Sequence, residues 1–395
     1  RDEMRRLGGQ ARERGIRLLG ADTWSNLRAA TADELACVDE VVPLDVYDPN
    51  ACREWAATRP DVDGVLTIRE LAVFSTAVIA KALSVAGNEP DAVRLIRNKD
   101  LCRDRLREVG FPQPVTALCS DADDAELFMR ETGPGPWIVK PRNGLASIGV
   151  SVVERPKDIP AALHKFGAPP PSVGTFTASQ YFLIETFVDG EEFSAEGVLI
   201  GGVPQVLALT RKTTVEGFIG LSQRVPADLD DATARAASNA VAQALTAVGI
   251  TWGIFHVEFW VTESRIVLGE FHARPGGDFI HALVEYSRPG IELFGMLIDD
   301  LLGRTPEPIP DCTRSAGAEF IFIQPGRLRA VHGWEQLTRH PAVLAADLQV
   351  APGDLIQPST DSFTRPGVFV VGADTPAELD QLITTLKSNV TFDLD

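Results

Sequence analysis

The sequence predicts a mixed α/β (α+β) protein of several units: an N-terminal open parallel α/β domain, a central region of antiparallel strands, and a C-terminal strand-rich lobe. Three observations predict it. Residues 1–90 alternate short apolar strands with helical periodicity, the pattern of a parallel sheet covered by helices. From about residue 115 the apolar segments become short and bounded by turns, as antiparallel ladders require. The length of 395 residues exceeds what one ordinary core supports.

In the first unit, strands are expected at Ile16–Leu19, Glu40–Leu44 and Gly64–Ile68, followed by a helix over Leu71–Leu83. Gly87-Asn88-Glu89-Pro90 breaks the chain before a helix expected from Ala92 to Val109, which Gly110 caps and Pro112 and Pro114 follow. Strands are then expected at Val115–Leu118, Trp137–Lys140, Val150–Val153, Tyr181–Phe187 and Phe193–Ile200, with a helix near Ala125–Glu131. The proline run Ala168-Pro169-Pro170-Pro171 reads as a surface loop. An Ala-rich amphipathic helix over Asp230–Val248 precedes strands at Trp252–Val261 and Arg265–Phe271 and a helix over Gly290–Leu302. The tail adds strands at Glu319–Gln324, Asp347–Val350 and Gly367–Gly372 and a helix over Pro376–Leu386. These patterns divide the chain at 1–90, 91–205, 206–305 and 306–395.

Composition excludes several classes of partner. Apolar residues make up 45% and charged residues 23%, and no run of about 18 residues is free of polar interruption, so no membrane partner is expected. The apolar stretch from Leu71 to Val85 carries Lys81 near its middle, as a packed helix does. A formal net charge of −18 argues against nucleic acid, which needs a dense basic stripe. The five cysteines at 37, 52, 102, 119 and 312 form no CxxC pair, and read as reduced, non-catalytic thiols of a cytoplasmic protein. Residue 1 is Arg rather than Met, so a preceding piece such as a first strand is expected.

Two local patterns carry chemistry. Trp137-Ile138-Val139-Lys140 is a buried strand ending in a lysine, and Gly144-Leu145-Ala146-Ser147-Ile148-Gly149 behind it is a turn of small residues. Such a loop offers backbone N–H groups to phosphate while the lysine adds a point charge. It is not a P-loop, because GK[ST] is absent. The second pattern is a hairpin: by alternation Glu270, His272 and Arg274 fall on one face of its second strand, and register across the hairpin can bring Glu258 on the first strand alongside them. Carboxylates there suit Mg²⁺, and a guanidinium suits a phosphoryl or carboxylate group.

On these residues the chain resembles the ATP-grasp superfamily, in its carboxylate–amine ligase (L-amino-acid ligase-like) branch, over roughly residues 10 to 390. The resemblance implies an ATP-grasp fold and ATP with Mg²⁺, or Mn²⁺ in its place, as cofactors. It implies that Lys99, in Arg97-Asn98-Lys99, and Lys140 bind phosphate, with Ser147 and Gly149 in a loop closing over the β- and γ-phosphates. Glu185 and the backbone of Phe187 and Val188 would meet adenine, and Glu192 the ribose. Glu258 and Glu270 would hold metal. His272 stands where the family has Asn, so the number of metals is open; Ala146 and Ile148 are smaller departures in the loop.

The reaction so implied is amide formation from a small-molecule carboxylate and an amine through an acyl phosphate. Arg274 would stabilise the transferring phosphoryl, the backbone of Gly276 and Gly277 would approach the oxyanion, and His256, on the same strand face as Glu258, is a candidate base for the amine. Glu70, Arg211, Lys212, Asp278 and His281 are candidate substrate contacts. A homodimer is compatible with this reading. A purine-pathway ATP-grasp enzyme acting on a phosphorylated molecule or bicarbonate is the alternative, and it should carry an additional basic pocket drawing on Arg211, Lys212 and Arg288.

Overall fold

The computed structural model describes residues 2–166, 180–215, 218–304 and 307–395. The proline run at 168–171 lies outside the described residues. The N-terminal unit opens with a helix, Asp2–Glu13, and pairs strands Leu19–Asp22 and Glu40–Pro43 in parallel. Its sheet has two strands, so two expectations shift. The first strand begins at Leu19, because Ile16 and Leu18 turn instead toward the large central core. Gly64–Ile68 joins no ladder: Val65 packs in the small N-terminal core while Leu66 and Ile68 pack against the central one. These side chains stitch two cores together.

The helix expected over Leu71–Leu83 is present as a 3₁₀ turn, Glu70–Ala72, running into Val73–Leu83. The helix expected as one piece from Ala92 to Val109 is two, Pro90–Arg97 and Lys99–Glu108, parted by an extended Asn98 (φ −96°, ψ 103°). The backbone N–H of Lys99 donates to the carbonyl of Arg142 rather than to the preceding helix. The break makes Lys99 the first residue of a new helix and ties it to the loop after Lys140.

A four-stranded antiparallel sheet follows, ordered Thr116–Cys119, Phe182–Thr186, Trp137–Pro141, Ser151–Val153. Helices Ala122–Thr132 and Ile159–His164 bury its apolar face around Phe128, Trp137 and Ile184. Below it lies an eight-stranded sheet ordered Ile266–His272, Gly253–Val261, Glu191–Ile200, Val203–Val215, Ile219–Val225, Ser315–Ile321, Gly367–Ala373, Val343–Leu348. Every neighbouring pair in it is antiparallel.

Two of these strands, Val203–Val215 and Ile219–Val225, have no counterpart among the sequence expectations. Their cleft-facing positions carry no apolar side chain, as at Lys212, Thr214, Gly220 and Gln223, so apolar alternation does not mark them. Helix Asp231–Ala247 packs in one core of this sheet, and helices Ile280–Ser287 and Leu293–Leu301 in the other. The C-terminal segment is less separate than its composition suggests. Three of its strands complete the eight-stranded sheet, and only Gly326–His332, Leu355–Ile356 and Thr391–Leu394 form a small sheet of their own. No helix among the described residues is long and apolar enough to cross a membrane. Burial pushes the thiols of Cys102 and Cys119 up to about 12, which leaves them unreactive at neutral pH.

Candidate active site

A cleft of about 1680 Å³ opens where the four-stranded sheet, the eight-stranded sheet and the N-terminal unit meet. It is larger than the roughly 300–1,000 Å³ of a single-ligand pocket. The N-terminal unit forms a whole wall of it, with Leu19–Asp22 and residues 64–72, Glu70 among them, and the C-terminal segment adds Ser362, Phe363 and Arg365. Lys99, Lys140, Glu258, Glu270 and Arg274 all face it.

Register explains the acidic floor. His256 pairs directly with His272 across the hairpin, and the ladder slips between Val257 and Phe259. At that bulge Glu258 opposes Gly269 and Glu270 together, which brings both carboxylates to the cleft face. Gly269 is required there: a Cβ would stand 2.8 Å from the carbonyl oxygen of Glu258.

The charges around the acidic floor are paired. Lys140 Nζ lies 2.8 Å from Glu185 Oε2, and Arg103 Nε lies 3.1 Å from Glu185 Oε1. All three side chains are at least 93% buried. Burial alone would raise the Glu185 carboxyl, but Arg103 and Lys140 hold it at about 2. Lys140, by burial first, is pulled below the ordinary lysine value. Glu185 therefore sits in a buried ion triad on the cleft wall, with its oxygens engaged by Arg103 and Lys140. Lys99 Nζ reaches Glu270 Oε2 at 3.2 Å and the Gly144 carbonyl at 3.4 Å. Lys212 bridges Glu192 and Glu258.

Glu70 does reach the cleft from the first unit. Its Oε1 accepts from Arg97 at 2.6 Å, and its Oε2 accepts from Arg274 Nε at 2.6 Å and stands 2.8 Å from His272 Nδ1. Burial disfavours this carboxylate, yet His272, Arg274 and Arg97 hold its pKa well below the usual range. Glu70 orients Arg274 and His272; its carboxylate is already engaged by three basic side chains.

Several expectations are corrected. His256 is buried, with Nδ1 2.8 Å from Glu196 Oε2. Burial pushes the imidazole down, but the Glu196 charge and hydrogen bond raise it to about 9, so it is a cation near neutrality and not a base for an amine. Arg211 does not reach the cleft: it neighbours Lys212 along one strand, so it faces the other way, paired with Glu191 and lying over Phe193. Lys212 holds two carboxylates rather than standing ready for a substrate's. Asp278 (φ +57°) faces the cleft but is bound by Arg365 at 2.6 Å. His281 is buried with Nε2 3.0 Å from Asp2 of the N-terminal helix, and serves that docking.

In the small-residue loop, Ser147 Oγ donates to the Phe218 carbonyl at 3.0 Å, and Ala146 and Ser147 both adopt positive φ (54° and 61°), a costly conformation for residues with a Cβ. Gly149 does not face the cleft; at φ +75° its position is crowded by Phe166, where a Cβ would stand at 2.6 Å. Phe187 and Val188 line the cleft, though the Phe187 N–H is committed to the Pro136 carbonyl. Gly277 has open space where a Cβ would be. Gly276 has none: its Cβ would lie 3.0 Å from His256 Nδ1 and 3.1 Å from Glu196 Oε2. Gly276→Ala is accordingly expected to push this buried pair apart and cost about 1–3 kcal/mol, read as a lowered thermal midpoint; an unchanged midpoint would refute the packing role.

Arg103, Glu196 and Arg365 escaped the sequence reading. Glu196 left a usable signal, an acid inside the apolar strand Phe193–Ile200, since such a group needs a buried partner. Arg103 left none, because its helix Lys99–Glu108 is charged throughout.

Residues 134–282 match the family model described as ATP-grasp domain. The chain carries an ATP-grasp domain. Residues 319–395 match a second model, L-amino acid ligase C-terminal domain 2. The ATP-grasp domain so bounded holds Lys140, Glu185, Glu258, Glu270 and Arg274, whereas Glu70 and Lys99 reach the cleft from outside it. The fold resembles the crystal structure of an L-amino acid ligase from Bacillus licheniformis, with a TM-score of 0.81 and 24% identity, covering 98% of this chain and 95% of that one. In sequence, the chain is 25% identical over 302 residues to dapdiamide A synthase of Enterobacter agglomerans, covering 74% of this chain and 70% of the relative. It is 29% identical over 194 residues to a D-alanine–D-alanine ligase of Corynebacterium urealyticum, covering 45% of this chain and 51% of that ligase. These matches span between half and seven-tenths of the relatives' own lengths.

Proposed function

We propose that the protein is an ATP-dependent carboxylate–amine ligase that joins amino-acid-like substrates by an amide bond and releases ADP and phosphate. The observation that carries this reading is the meeting of Lys99, Lys140, Glu258, Glu270 and Arg274 on one cleft. Two of the relatives named above, an L-amino acid ligase and a D-alanine–D-alanine ligase by their titles, support it.

A carboxylate oxygen of the donor attacks the γ-phosphorus, the bond from that phosphorus to the β–γ bridging oxygen breaks, and ADP leaves an acyl phosphate. The amine nitrogen then attacks the acyl carbon, loses a proton, and the carbon–oxygen bond to phosphate breaks. Such transfers depend chiefly on positioning and charge stabilisation. In this proposal Lys99 and Lys140 hold nucleotide phosphates, Phe187 and Val188 flank the base, and Glu192 meets the ribose. Arg274 faces the transferring phosphoryl, and the unobstructed backbone at Gly277 admits the acyl group. Glu258 and Glu270 offer hard oxygen donors from one sheet face, which fits Mg²⁺, with Mn²⁺ of like chemistry; such an ion neutralises phosphate charge when bound. The proton of the amine needs another acceptor than His256.

The purine-type alternative calls on Arg211, Lys212 and Arg288 for a substrate phosphate. Arg211 pairs with Glu191, Lys212 with Glu192 and Glu258, and Arg288 with the carbonyls of Leu207 and Pro310. A phosphate-release assay with ATP, Mg²⁺ and amino acids, singly and in pairs, is the test. Release that requires one carboxylate donor and one amine acceptor is expected. Release that requires bicarbonate or a sugar-phosphate amine overturns the proposal.

A further inference from the structure

The cleft contains a cluster that the ligase chemistry above does not use as a unit. His256, Glu258 and His272 each place one ligand atom so that all lie within 4.8 Å of one another. The two histidines are a directly opposed cross-strand pair, their ring centroids 5.4 Å apart. Each is anchored from behind by a carboxylate on its Nδ1: Glu196 at 2.8 Å for His256, and Glu70 at 2.8 Å for His272. Carboxylates so placed fix a ring's orientation, and imidazoles that bind metals are held in this way.

The remaining nitrogens face the two acids of the cleft floor. His256 Nε2 lies 3.4 Å from Glu258 Oε1, and His272 Nε2 lies 3.9 Å from Glu270 Oε2. Two donors at about 2.1 Å from a tetrahedral ion stand roughly 3.4 Å apart. An all-oxygen octahedral shell, the preference of Mg²⁺, is not what two imidazoles and a carboxylate supply; nitrogen donors favour zinc, cobalt and nickel.

We propose that His256, Glu258 and His272 form a cation site selective for nitrogen-preferring divalent transition ions over Mg²⁺. Glu196 and Glu70 are its positioning residues. Lys212 pairs with Glu258 and lies 2.9 Å from Glu192, so an ion entering the site competes with an ammonium that has a second carboxylate at hand. The proposal shares Glu258 with the nucleotide site but does not require ligase activity.

The test uses nucleotide-free full-length protein. Isothermal titration with Co²⁺, Ni²⁺, Zn²⁺ and Mg²⁺ is expected to rank Mg²⁺ weakest by at least about tenfold. Zinc-edge X-ray absorption of the loaded wild-type protein is expected to show two imidazoles and no sulfur. His272→Asn should abolish the transition-metal preference, and Glu196→Gln should weaken Zn²⁺ binding by about 10–100-fold. Equal affinity for Mg²⁺ and Zn²⁺, or fewer than two imidazoles at the zinc, overturns the proposal without use of any variant. Phosphate release in Mg²⁺ alone is scored separately, so failure of the metal site and failure of the ligase reading are told apart.

Discussion

Arg274→Ala is expected to lower kcat by about 10²–10³-fold while leaving ATP affinity within a few-fold, because a donor aimed at developing charge acts in the transition state and not on the bound nucleotide. The structure makes this residue unusually well held. Its Nε donates to Glu70 and its Nη1 to the Pro275 carbonyl, which fixes the guanidinium in the cleft. Arg274→Lys should recover little, since one ammonium nitrogen cannot reproduce the planar fork in which separate guanidinium nitrogens meet Glu70 and the Pro275 carbonyl. Steady-state phosphate release together with nucleotide titration separates the two effects. Normal turnover in Arg274→Ala would remove the residue from the reaction.

Arg103→Met is expected to destabilise the fold by about 3–5 kcal/mol, the cost of leaving a buried charge short of a partner. Arg103 joins Glu185 to the carbonyls of Leu268 and Gly269, so it links the four-stranded sheet to the floor of the cleft. The pH dependence follows from Glu185. Its carboxyl ionises at about 2 in the folded protein against an ordinary value of 4.5. The ionised group therefore contributes stability in full above about pH 4.5 and loses it as pH falls toward 2, a difference worth about 3 kcal/mol. Urea midpoints should show a wide gap between wild type and Arg103→Met at pH 7 that narrows below pH 4.5. A gap constant from pH 7 to 3 would mean that Arg103 stabilises through packing instead.

The order of chemical groups was readable early because it is written in short strings. Lys140 closes an apolar strand, Glu270, His272 and Arg274 alternate along another, and both patterns survive folding with each residue on the expected face. Most strands of the four-stranded sheet were readable for the same reason. The strands Val203–Val215 and Ile219–Val225 were not, since a polar cleft face erases the alternation on which such a reading depends. The assignment of His256 as a base failed differently. Its neighbour Glu196 is 60 residues away, and no local pattern reports a partner at that distance.

What the sequence by itself determined is therefore the set of groups and their order: two lysines, two acids, a histidine in an unexpected place and an arginine. Periodicity of two or 3.6 residues is a local property, and those groups follow it. The tertiary structure alone decided which charge meets which. Glu70 reaches His272 across 202 residues, Arg103 reaches Glu185 across 82, and a one-residue bulge brings Glu258 beside Glu270. Ion pairs of this kind depend on sheet register and on how two sheets face each other. Neither is encoded in any segment read alone, because each is settled by the burial of apolar surface on the opposite side of the same strands.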